Sequence, residues 1–138
     1  MRFLIREVHR WDDLNAYEGQ LHGEVDGTPL CVHIVVSRPQ GDWEALKPGS
    51  AVEVDIWLER SADIRLRSAL SPPVWKTLDG PNYLIGSTVS EVVDDETIVV
   101  AGPFPLRVDM DRVPSVTSPP LGVGDGVEVR GLLKAELI

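Results

Sequence analysis

Cys31 is the only cysteine in this chain of 138 residues, so no internal disulfide can form and the core must hold without covalent staples. A reducing compartment, the cytoplasm, is the expectation. Long apolar runs are missing too. None approaches the roughly 18 uncharged residues of a membrane helix, and Arg6 and Glu7 interrupt the opening stretch before a signal-peptide core develops. Positive charge is scarce: 13 Lys and Arg face 22 Asp and Glu, a formal net charge of -9. Such a field keeps a protein soluble and repels polyanions, which weighs against nucleic acid as a partner. Aromatics are sparse, and they form no basic and aromatic stripe on which unpaired bases could stack.

Catalytic signatures are equally thin. Ser37, Ser61 and Ser118 sit in no Gly-x-Ser-x-Gly elbow, and no glycine run precedes a Lys-Ser or Lys-Thr pair as in a phosphate loop. Cys31 follows Leu30 and precedes Val32 without a cationic neighbour, which describes a buried thiol rather than a nucleophile. His9, His22 and His33 are dispersed. His22 and His33 could meet across a hairpin and share zinc, but no third ligand follows at a recognisable spacing, so ordinary surface or hydrogen-bonded histidines are expected. Glu91, Asp94, Asp95 and Glu96 make an acidic turn without the alternating ligands and glycine of a calcium loop. Asp109 and Asp111 share a strand face with no nucleophile or base to work with. The expectation is a non-enzymatic protein with no cofactor and no metal.

What is present is alternation. Leu30, Val32, Ile34 and Val36, then Val52, Val54, Ile56 and Leu58, then Phe104, Leu106, Val108 and Met110 recur with the two-residue period of half-buried strands. Further strands are expected near 2–8, 18–26, 62–68, 83–93, 96–101 and 126–136. Asp26-Gly27 and Asp94-Asp95 read as hairpin turns. Two short helical turns are expected, one over Asp42–Lys47 capped by Asp42, the other over Ser71–Leu78 with Ser71 as cap and Pro72 in first position.

The strands also repeat. Leu46-Lys47-Pro48-Gly49-Ser50-Ala51-Val52-Glu53-Val54 returns loosely as Leu121-Gly122-Val123-Gly124-Asp125-Gly126-Val127-Glu128-Val129, each a glycine turn feeding an alternating strand. Laying Gly19 on Gly86 aligns Glu24-Val25 with Glu91-Val92. The later glycine turns then align at a longer spacing, and the run from Pro103 to Pro120 accommodates the extra loop. Gly86–Val92 as an opening strand, Thr97–Val100 and Phe104–Val108 as the next two, and Gly124–Gly131 as the closing one resemble the strand series of OB-fold-like small barrels. The resemblance implies an all-β fold of one or two small barrels, with two loosely similar halves, about 1–70 and 80–138, joined by a connector over 69–82 in a single domain.

Trp57 and Leu132 occupy equivalent places in the two repeats, where alternation expects exposure. An apolar residue at both places points to a covered face, and so to a protein partner or a second copy of the chain. Trp43 and Trp75, in the two short turns, are expected to cap barrel ends, while Trp11 carries no assignment. The leading expectation is a β-barrel binding module acting by protein–protein or self-association. One alternative is oligonucleotide binding in the OB manner through Arg60, Arg65, Arg67 and Lys76, which outnumber Asp63 in their segment. Another is a small ligand held in a barrel interior.

Overall fold

The computed structural model describes residues 1–11, 17–59, 64–110 and 121–138. Arg60, Ser61, Asp63, Asp111, Ser118 and most of the proline-rich run up to Pro120 lie outside the described residues. Within them the chain is all-β, with ten strands and one short helix. It divides into two compact units: Met1–Ile56 with Leu133–Ile138, and Trp57–Leu132. The division falls inside two strands rather than in the 69–82 connector.

The first unit opens with a meander of β1 (Arg2–Arg10), β2 (Glu18–Val25) and β3 (Thr28–Val35). Asp26 and Gly27 both take positive φ, 48° and 81°, which is the backbone a tight hairpin turn of this type requires. The helix α1 (Pro39–Ala45) follows, then the start of β4 (Ala51–Glu59). The last residues of β10 (Gly126–Leu137) run parallel to β3, with Lys134 opposite His33. β1 pairs antiparallel with β4, and the Ile138 N–H donates to the Glu53 carbonyl at 3.2 Å, which closes the ring of strands. Phe3, Ile5, Leu21, Val32, Ile34, Val54 and Leu133 are fully buried inside it. Each contributes about 1.5–3 kcal/mol by leaving water.

The second unit repeats that plan with the long strands in exchanged roles. β7 (Asn82–Val92), β8 (Thr97–Val100) and β9 (Leu106–Asp109) form the antiparallel meander. Here the end of β4 runs parallel to the third strand, with Trp57 opposite Arg107, and the start of β10 pairs antiparallel with the first, with Val129 opposite Ile85. β10 also pairs with β4. Two short strands are added: β5 (Ile64–Arg67) along β10, and β6 (Val74–Asp79) along β7. Leu58, Ile85, Val100, Leu106, Val108, Val127 and Val129 are fully buried. Each unit thus has the strand order of an OB-like barrel.

Two local expectations need correction. The helix spans Pro39–Ala45 rather than Asp42–Lys47, and Arg38 stands at its N-cap. Asp42 does bind free amides, accepting from the backbone N–H of Ser37 and Arg38 at 3.2 and 2.9 Å, but it reaches back from inside the helix. Proline in the first turn, not aspartate, sets the start. Segment 71–78 is no helical turn: from Val74 on it is β6, because pairing with β7 from Gly86 to Asn82 outweighs the capping signal of Ser71-Pro72.

Candidate functional site

In the first unit, the outer face of β1–β3 carries Glu7, His9, His22, Cys31 and His33. The register is the cause. A bulge between Ile5 and Glu7 shifts β1 by one residue against β2, so Val8 takes the place opposite Leu21. Phe3 and Ile5 stay in the core, while Glu7 and His9 turn outward. Across the sheet, Glu7 pairs with His22 and His22 with Cys31; one step along, His9 pairs with Gln20 and Gln20 with His33.

The side chains meet accordingly. Glu7 Oε2 lies 3.5 Å from His9 Nε2, and the His9 and His22 rings pack edge to face with centroids 5.6 Å apart. His22 Nε2 stands 3.7 Å from Cys31 Sγ, and the Gln20 side-chain amide donates to the same sulfur at 3.8 Å. Cys31 is buried, and its burial pushes the thiol from 9.0 up to about 11, so at neutral pH it is protonated and a poor nucleophile. His33 is buried as well. Trp11 stacks on it at 4.8 Å, and its Nε2 lies 3.2 Å from Glu18 Oε1. The hairpin pairs His22 with Cys31 and His33 with Gln20, so the two histidines considered above are not direct cross-strand partners, and β1 adds His9 beside His22. Beside this face, α1 and its surroundings frame a groove of about 850 Å³ lined by Arg10, Tyr17, Trp43 and Lys47. Trp43 is buried on α1, with the Arg10 guanidinium 5.1 Å above its ring.

In the second unit, Trp57 is half-buried, with the Arg107 guanidinium 5.3 Å over its ring, and Leu132 is also half-buried. Part of the cover on Trp57 thus comes from its own unit. Of the four basic residues, Arg60 lies outside the described residues, and Arg65 and Lys76 are exposed on β5 and β6. Arg67 is engaged internally: its guanidinium donates to the Pro72 carbonyl at 2.7 Å and lies against Gly86. The acidic turn folds on itself, with Asp94 Oδ1 accepting from the Glu96 N–H at 2.8 Å. Asp109 pairs with Arg107 at 3.4 Å. Ser87 is buried and its hydroxyl donates to the Ala101 carbonyl. Trp75 packs edge-on against Phe104, centroids 5.2 Å apart, and lies flat on Gly102.

Glu7 and His9 are the residues that sequence reasoning missed as a group. The strand period places them with Phe3 and Ile5, and nothing local to Arg6 announces a bulge. Among the described residues, no helix is long and apolar enough to cross a membrane. Against known proteins, the chain matches no family model, no curated protein and no solved structure.

Proposed function

We propose that this chain is a non-enzymatic binding module that associates with a second copy of itself through the edge strand β6. One observation carries the reading. β6 ends the strand order and pairs only with β7 among the described residues, yet it exposes Val74 at 38% and Leu78 at 47%. An open edge offers unpaired N–H and C=O groups to another strand, and apolar side chains make that pairing favourable.

A second copy suits this edge by charge. β6 bulges between Thr77 and Asp79, which puts Lys76 and Asp79 on one face, so antiparallel pairing of β6 with itself about an axis through Thr77, with Leu78 as the bulged residue of each copy, sets Lys76 opposite Asp79 on both sides of the axis. Opposite charges across strands contribute roughly 0.2–1 kcal/mol per pair. A two-fold edge pairing also closes, so it yields a dimer and not a fibre. The protonated Cys31 thiol and the internally bonded Ser87 hydroxyl suit a module without a nucleophile. A single cysteine suits the cytoplasm.

Size exclusion with light scattering tests the proposal. The wild type is expected as a concentration-dependent dimer, Lys76→Glu as a monomer, and the charge-swapped Lys76→Glu, Asp79→Lys chain as a dimer again. A wild type that is monomeric at every concentration, or a Lys76→Glu chain that dimerises as well as the wild type, overturns it.

A further inference from the structure

We infer that Glu7, His9, His22 and Cys31 form a zinc site on the outer face of the first unit, with four protein donors closing the coordination sphere. The ligand atoms of Glu7, His9 and His22 all lie within 4.8 Å of one another. Glu7 Oε2 is 3.5 Å from His9 Nε2, and Cys31 Sγ is 3.7 Å from His22 Nε2. A tetrahedral Zn²⁺ with bonds of roughly 2.0–2.3 Å holds neighbouring donors about 3.3–3.6 Å apart. Two of the spacings are already close to that; Cys31 touches the trio through His22, and the exposed Glu7 and His9 side chains would turn toward its sulfur to complete the site.

The backbone is ready for such a site. Glu7, His22 and Cys31 stand in one cross-strand row of three paired strands, and His9 follows two residues after Glu7 on the same face. Pairing fixes the Cα positions, so binding orders side chains and leaves the sheet as it is. Two imidazoles, one carboxylate and one sulfur suit zinc; Mg²⁺ and Ca²⁺ take oxygen donors and would leave three of the four unused. Gln20 supplies outer support, because its amide already donates to the Cys31 sulfur and would steady a thiolate bound to metal. An exposed Glu7–His9 ion pair alone would account for those two residues. It does not account for a histidine and a buried cysteine arriving beside them from two further strands.

Titration of the full, chelator-stripped chain with Zn²⁺ alone, followed by calorimetry, tests the site. One equivalent is expected to bind. Losing a ligand should cost no less than the roughly 10- to 100-fold in affinity that losing an outer partner costs, so His9→Ala and Cys31→Ser should each bind at least that much more weakly. The His9 side chain is 57% exposed, so its replacement leaves the fold intact, which the metal-free melting curve checks. Co²⁺ in place of zinc provides a second reading on the wild type, independent of whether Cys31→Ser folds: a sulfur-to-cobalt charge-transfer band in the near ultraviolet is expected. A wild type that binds no zinc, a His9→Ala chain that binds as tightly as the wild type, or a cobalt spectrum lacking the sulfur band overturns the inference.

Discussion

Gly49 and Gly124 hold the same left-handed backbone, φ 87° and 91°, at the same step of the two repeats, immediately before the long strands β4 and β10. The sequence repeat is thus a repeat of conformation. A Cβ at either place would meet nothing within 4 Å, so substitution acts through the backbone alone. Gly49→Ala and Gly124→Ala are each expected to lower stability by about 1–2 kcal/mol. The two losses should be similar, and Gly→Asn should cost less at both positions. Urea denaturation of the four variants checks this.

Leu133 is fully buried, while Leu70 is 95% exposed. Leu133→Ala should cost about 2–5 kcal/mol, because the first unit loses both the transfer energy and the filling of its interior. Leu70→Ala should stay within about 0.5 kcal/mol of the wild type. Thermal and chemical melts of the pair separate the two sites.

Cys31 makes stability depend on pH in the metal-free chain. Its folded pKa, about 11, stands above the ordinary 9.0. The unfolded chain therefore gives up this proton first as pH rises, and between the two values the folded state binds more protons. The contribution is complete below about pH 9, falls as pH climbs from there toward about 11, and then levels off. Denaturation at about pH 8 and about pH 10.5 should show a larger loss for the wild type than for Cys31→Ser. Alkylation of the native thiol should likewise be slow at neutral pH and accelerate toward the upper end of that window.

Arg67 is a structural cation. Its guanidinium bonds the Pro72 carbonyl and packs on Gly86, tying β5 to the segment that leads into β6. Arg67→Ala should destabilise by about 1 kcal/mol, the net worth of an ordinary hydrogen bond. Arg65→Ala, on an exposed position of the same strand, should change stability by less than about 0.5 kcal/mol. Comparative denaturation of the two variants decides.

Strand by strand, the fold was legible wherever one face meets the core and the other meets solvent. Val52, Val54, Ile56 and Leu58 announced β4, because burial on one side forces a two-residue period, and Leu30, Val32 and Ile34 announced β3 by their aliphatic alternation, although Cys31 and His33 on its other face are buried too. β6 escaped because it contributes little to a core: most of its residues are exposed, so no alternation marks it, and Ser71-Pro72-Pro73 resembles a helix start. The candidate metal ligands escaped for a different reason. One extra residue in β1 reverses which side Glu7 and His9 face, and a bulge is a property of the paired strands, not of the residues that flank it. The cross-strand neighbours of His22 and Cys31 depend in turn on the Asp26-Gly27 turn, which the sequence did signal.

The exchange of β4 and β10 between the two units carries a cost in time. The first unit needs Leu133–Ile138, which are synthesised only after all of Trp57–Leu132. Its meander must wait on the ribosome with one sheet margin open until Leu133–Ile138 emerge, and the first unit cannot be cut out as a contiguous fragment. Folding that depends on such distant pairings is slow, so this chain should refold over milliseconds to seconds, in the range of barrels dominated by non-local contacts.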